Sequence, residues 1–258
     1  MDIQIINTIL IDALNQIQIK GKYFTGGVSR NGSLGNHVAI IAHQQVEEYS
    51  QLTLCNANHY SMCKLVIPNT IVNEPGEIVV EIDKLISHLK GFGKGALVDI
   101  HADDTLVIGG IIGTSQMPLL LNHPLPAGIA TATTLVEPVT LPAKFGSTEI
   151  KTKLTITSFN LLPAVKGCDI IDVGKYRMDY DETIQGLTLS SVKSATESFS
   201  SSITVTEQEG ESATIEFSGP FLSFFNGSDN IRIYMRDDSP VMFCSDNQVL
   251  VKAPFIEG

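Results

Sequence analysis

The chain has 258 residues, 43% of them hydrophobic and 17% charged, enough apolar side chain to bury one large core or two ordinary ones and too much for a disordered chain. Its net charge of −11, from 28 acidic against 17 basic residues, excludes a protein whose whole surface coats nucleic acid or anionic lipid, while leaving room for a local basic stripe. Four cysteines, Cys55, Cys63, Cys168 and Cys244, lack C-x-x-C spacing, which argues against a disulfide framework or zinc knuckle and for reduced, buried thiols in an intracellular protein.

In chain order, Ile6, Ile9, Leu10, Ala13, Leu14 and Ile17 fall at helical spacing and predict a first helix. Asn7, Asp12, Asn15 and Gln16 interrupt its apolarity, and no basic segment precedes it, so it reads as neither signal peptide nor membrane span. Between Tyr23 and Ile67, β-rich runs such as HVAII, SQLTL and KLVI separated by Gly, Asn and His predict an antiparallel sheet. EIDKLISHLKGFG predicts a second helix with Ile82, Leu85, Ile86, Leu89 and Phe92 as its stripe and Gly91 and Gly93 at its end. Two strands follow, ALVDIHA and TLVIGGII.

Residues 115 to 143 carry Pro118, Pro124, Pro126, Pro138 and Pro142 with no sustained period, and read as a connector between domains 1–114 and 144–258. The order then repeats. A helix is expected in TSFNLLPAVKG, strands in KYRMDYD, GLTLSS, SSITVTE and ATIEF, a short helix in GPFLSFFNG, and strands in NIRIYMRD and PVMFCSD. Each half reads helix, strands, helix, strands.

These stretches resemble the PCNA-type DNA sliding clamps. The resemblance rests on QLTL at 51 to 54, on SHLKGFGKGALVDIHADDTLVIGG, on ATIEFSGPFLSFFNGSDNIRIYMRDDSPVMF and on the terminal KAPFIE. No single piece is specific, but order and spacing agree over more than half the chain. The resemblance implies an α+β fold of two similar domains, each an antiparallel sheet with two helices, closing head to tail into a ring, as a homotrimer, with helices lining the hole. It implies a non-enzymatic processivity factor with no cofactor or metal. Its partners would be double-stranded DNA, a polymerase and other proteins with clamp-binding peptides, and a separate ATP-dependent loader.

By the same resemblance, the peptide groove maps to Val46, Tyr49, Leu120, Leu121, Leu125, Pro240, Val251, Ala253 and Pro254. Two or three anchors at ~1.5 to 3 kcal/mol each would give exchangeable binding. DNA contact maps to Lys20, Lys84, His88, Lys90, Lys94, Lys153 and Lys166, since a sliding contact needs phosphate-binding cations rather than base readers. The first helix departs from the pattern, with Asp12 and no lysine or arginine, and so does the fourth. Subunit contacts are expected at two strand edges, residues 105 to 111 with Thr105, Val107 and Ile111, and residues 202 to 206 with Ile203 and Val205.

Other constellations carry less. His101, Asp103 and Asp104 have metal-ligand chemistry but sit at a strand turn where acidic residues are common. Gly26-Gly27 and Gly109-Gly110 lack phosphate-loop spacing, and no G-x-S-x-G occurs. A β-rich virion or assembly protein and a small hydrolase with an unrecognised site remain as alternatives. The clamp reading places the chain in the cytoplasm or nucleoid of a prokaryote or an infected cell, or in a nucleus.

Overall fold

A computed structural model describes residues 1–18, 36–43, 50–57, 61–120, 140–143, 146–171, 175–192, 197–218, 225 and 230–255. The chain divides into two compact units, residues 1–58 with 63–134, and residues 59–62 with 135–258. Among the described residues no helix is long and apolar enough to cross a membrane.

The first unit contains β1 (Asp2–Ile6), α1 (Asn7–Ile17), β2 (His37–His43), β3 (Gln51–Ala57), most of β4 (Ser61–Ile67), β5 (Ile71–Glu74), β6 (Gly76–Glu81), α2 (Ile82–Lys90), β7 (Leu97–Ala102), β8 (Thr105–Gly110) and β9 (Gly113–Pro118). One sheet runs β5-β1-β7-β8-β9 and another places β4-β3-β2-β6 side by side. The pairings described between these strands are antiparallel.

Helix α1 buries Leu10, Ala13, Leu14 and Ile17, as the periodicity predicts, but Ile6 and Ile9 are 40% and 46% exposed. The buried place at the start of the helix belongs instead to Asn7, whose amide donates to the carbonyls of Leu89 and Gly93 at the end of α2. The Leu89 carbonyl also accepts the Phe92 N–H, so the Asn7 amide fastens the whole C-terminal turn of α2. In α2, Ile82, Leu85, Ile86 and Leu89 are buried, with Phe92 just past it. The turn that ends it uses Gly93 at φ 83°, while Gly91 stays right-handed at φ −61°. Alternation is clean in β7 and β8, where Val98, Ile100, Ala102, Leu106 and Ile108 point to the core.

The second unit repeats the plan. It holds β10 (Thr140–Ala143), β11 (Gly146–Glu149), β12 (Thr152–Thr157), α3 (Ser158–Ile171), β13 (Lys175–Asp181), β14 (Gly186–Ser191), β15 (Ser200–Ile203), β16 (Val205–Gly210), β17 (Ala213–Ser218), β18 (Asn230–Met235), β19 (Val241–Cys244) and β20 (Gln248–Lys252). Its strands run β16-β12-β18-β19-β20 and β15-β14-β13-β17, so β12, β18, β19 and β20 stand where β1, β7, β8 and β9 stand in the first unit. Tyr176, Phe217, Phe243 and Phe225 link the two layers through ring contacts of 5.4, 5.8 and 6.3 Å. The helix expected at 219–227 lies outside the described residues except for Phe225, which is buried and receives the Gln248 side chain at its backbone N–H.

Three expectations change. Residues 115–118 are not connector but the second half of β9, paired with β8 from Thr105 to Gly110. The run SSITVTE is two strands broken at Thr204, β15 on β14 and β16 on β12. Helix α3 runs on to Ile171 with Pro163 in its second turn, where the ring leaves the Phe159 carbonyl without its helical donor.

Candidate functional site

The expected cations separate into distinct settings. Lys90 and Lys94, at the end of α2 and in the turn beyond, and Lys166, on α3, are exposed and have no ion-pair partner among the described residues. Lys84 is exposed but held by Glu81 at 2.7 Å, one turn back. His88 is half-buried and its Nδ1 meets Ser115 Oγ at 2.5 Å, so the ring ties α2 to β9. Lys20 lies outside the described residues.

Lys153 is placed differently from Lys166. In register, Lys153 faces Tyr234, Tyr234 faces Met242 and Met242 faces Val251, so these four side chains share one face of their sheet. The Lys153 ammonium stands 5.9 Å from the Tyr234 ring centroid. Leu154, Ile233, Phe243 and Leu250 form the opposite, fully buried row. Lys153 therefore belongs with the Tyr234, Met242, Cys244 and Val251 cluster, which Met62, Ile150 and Val249 pack against.

The helix faces left exposed are sparsely basic. On α1 they carry Ile9, Asp12 and Asn15, and on α3 Phe159, Pro163, Lys166 and Ile170, with Phe159 and Ile170 84% and 81% exposed.

The segment after β20 is tied down as far as Phe255. Beyond β20, Pro254 pairs antiparallel with Phe217 of β17, and the Phe255 N–H donates to the Glu216 carbonyl at 2.6 Å. Ala253, Pro254 and Phe255 are half-buried, while Val251 is buried in the cluster above. Pro240 is half-buried in the turn after β18, and Leu120 is half-buried with its N–H on the Val79 carbonyl. Val46, Tyr49, Leu121 and Leu125 lie outside the described residues.

The strand edges correct the expected seam. Strand β8, with Thr105 and Val107, is flanked by β7 and β9 and offers no free edge; Ile111 lies past its end, at the hairpin tip and fully exposed. The edge is β9. A two-residue loop, Ile111-Ile112, closes on the pair Gly110 and Gly113, which in such a hairpin exchange hydrogen bonds. Counting by two along the ladder, Ser115 and Met117 bond inward to β8, and Thr114, Gln116 and Pro118 turn their backbone polar groups outward. Pro118, which has no N–H to give, fits only the outward set. In the second unit β15 is the edge, with Ile203 buried, whereas Val205 belongs to β16 at the edge of the other sheet. The signals for β9 were Pro118 and the Gly-Ile-Ile-Gly hairpin, hidden in a stretch dominated by prolines further on.

At the first-unit turn, His101 Nε2 lies 2.9 Å from Asp103 and its Nδ1 3.6 Å from Asp2. The Asp103 hydrogen bond and charge, then those of Asp2, raise the imidazole above its ordinary value. Two carboxylates bracket one imidazole, an ion-pair arrangement, and no group of metal-ligating side chains occurs among the described residues.

No protein-family model and no curated protein matches the sequence. Solved structures do match. PCNA of A. fulgidus, with the C-terminal region of FEN-1 bound, is 17% identical with a TM-score of 0.66, covering 100% of this chain and 99% of that one. A DNA polymerase III β subunit from Eubacterium rectale, described as putative, matches at 15% identity and TM-score 0.74, and the β subunit from Thermotoga maritima at 13% and 0.72. The chain spans 66% of the length of each β subunit. At these identities the match concerns architecture, and it runs through both units: the chain has the sliding-clamp fold.

Proposed function

We propose that the chain is a DNA sliding clamp, a ring of head-to-tail copies that encloses duplex DNA and tethers a polymerase and other replication and repair enzymes through a peptide groove. The observation that carries this reading is the repeated two-sheet plan, matched over the full length of a PCNA chain. Like the PCNA-type family, the ring is a homotrimer, is filled by no cofactor, does no chemistry of its own and depends on an ATP-driven loader inside the cell. On this reading Val46, Tyr49, Leu120, Leu121, Leu125, Pro240, Val251, Ala253 and Pro254 serve the groove. A neighbour named with bound FEN-1 and another with a DNA ligase peptide support a groove of this kind.

The ring's seam joins β9 of one copy to β15 of the next, because an open strand edge is a liability unless paired or blunted. Lys90, Lys94 and Lys166 are the phosphate contacts, with Lys84 partly neutralised by Glu81. Few cations per copy mean a weak contact, indifferent to base sequence and lowered by salt, with a slope of about −0.9 per phosphate neutralised. The sparsely basic helix faces also favour one other reading, a clamp-fold assembly protein that encloses no DNA.

One experiment separates them. Protein loaded with ATP and an extract of its own cells onto a nicked circular duplex should stay with the circle through gel filtration at high salt, and should fall off once the circle is cut. Equal elution with cut and uncut DNA would rule out the clamp. Lys90→Glu with Lys94→Glu should lower loading and polymerase processivity while oligomer mass and peptide binding persist; normal processivity would remove α2 from the DNA contact.

A further inference from the structure

Beyond β20, Pro254 and Phe255 lie against β17 as a short added strand. Phe217 and Pro254 face each other, and the hydrogen bond that flanks them runs from Phe255 N–H to Glu216, which makes the pair a non-hydrogen-bonded one. The Pro254 nitrogen therefore points away from β17, where its ring blocks a further strand from adding on that side. Asp237 Oδ1 accepts the Thr214 N–H farther along β17 and uses up a donor there. The tail's side-chain anchor is Phe255, whose ring centroid lies 5.8 Å from the Lys175 ammonium. Lys175 itself is fixed opposite Ser218 on the β13–β17 ladder.

We infer that Lys175 is a positioning residue for the docking tail: by clasping Phe255 it holds Ala253 and Pro254 in the extended form a partner peptide meets, without touching that peptide. The inference rests on the groove reading proposed above. A tail that frays is competent for only part of the time, and the apparent dissociation constant rises by the reciprocal of that fraction. A half-exposed cation–aromatic contact contributes about 0.5–1 kcal/mol, so its loss should weaken peptide binding about 2–5-fold. Arginine at this position keeps both charge and ring contact.

The test uses the full chain and a fluorescent peptide with two aromatic anchors, obtained by display selection against it. Lys175→Ala and Phe255→Leu should each weaken binding about 2–5-fold, their combination should be no worse than either alone, and Lys175→Arg should restore wild-type affinity. Amide exchange at Phe255 should quicken by a smaller factor than binding weakens, because the docked and frayed fractions sum to one, with the unfolding midpoint unchanged. If no selected peptide senses deletion of residues 253–258, the groove reading falls and takes this inference with it. If peptides sense the deletion but bind Lys175→Ala as they bind wild type, the groove stands and the clasp does not.

Discussion

Proline at Gln116 should dissolve the ring and spare the fold. The outward N–H of Gln116 has no partner within its own sheet, so removing it leaves the β8–β9 ladder whole; what goes is the side-chain bond to Thr105 Oγ1, which is exposed and contributes little. A proline φ is acceptable in an extended edge strand, and Ser115 before it is already extended. At the seam the same change removes one donor, leaves a carbonyl of the next copy unpaired and puts a ring into the approach path. An unsatisfied buried carbonyl costs about 1–3 kcal/mol. A closed ring of three repeats that cost at every seam, about 3–9 kcal/mol in all, or about two to six orders of magnitude in the assembly constant. Light scattering after gel filtration, read over a dilution series beside a urea melt, gives both quantities. The expected result is a monomer that unfolds at nearly the wild-type urea concentration. Ser115→Pro is the control: it strikes an inward ladder hydrogen bond together with the Ser115–His88 bond and should lower the urea midpoint clearly. A Gln116→Pro protein of wild-type mass would refute the β9 seam, and one as unstable as Ser115→Pro would refute the register argument.

Gly210 ends β16 at φ 104°, and a Cβ there would lie 1.9 Å from the Lys151 carbonyl oxygen, so Gly210→Ala must open the β12–β16 end, lowering stability by about 2–4 kcal/mol and the melting midpoint by roughly 5–15 °C; an unchanged midpoint would contradict this. Asn7→Asp puts a buried carboxylate against the Leu89 and Gly93 carbonyls, and should cost about 3–5 kcal/mol at neutral pH and less in acid, whereas Asn7→Ala should cost about 1–3 kcal/mol at any pH; equal losses would mean the amide does not face those carbonyls. Burial chiefly lowers the imidazoles of His37 and His43, so the unfolded chain takes up protons first, and their share of stability is present above about pH 6.5 and lost as pH falls below it. His101, raised by Asp103 and Asp2, works the other way, its share present below about pH 6.5 and lost as pH rises through the raised value, but it is exposed and small. Urea midpoints should therefore fall from pH 7.5 to 5.5, and less in His37→Gln with His43→Gln; a wild-type rise in acid would reverse the assignment.

Much of the fold was legible because core-facing residues repeat at helical or strand period, as in Leu85, Ile86 and Leu89 or in Val98, Ile100 and Ala102. Periodicity says nothing about which strand lies beside which. The resemblance put the edge on β8, an apolar strand ending in Gly-Gly, one strand short of the polar β9. Face assignments need the same information: Lys153 alternates with buried residues, and only the register with Tyr234 reveals which side of the sheet it takes. The stripe on α1 was misread at its start because Asn7 outcompetes Ile6 and Ile9 for the buried place by serving the α2 carbonyls. The tail's pairing with β17 is not legible in KAPFIE, because a single bridge at Pro254 leaves no alternation to read.

The central claim is a closed ring, and solution mass taken together with negative-stain images tests it most directly. The account predicts a particle of three 27.9 kDa chains with an open centre at micromolar concentration, falling to single chains in Gln116→Pro. A monomer, or a compact particle without a hole in the unaltered protein, would contradict it.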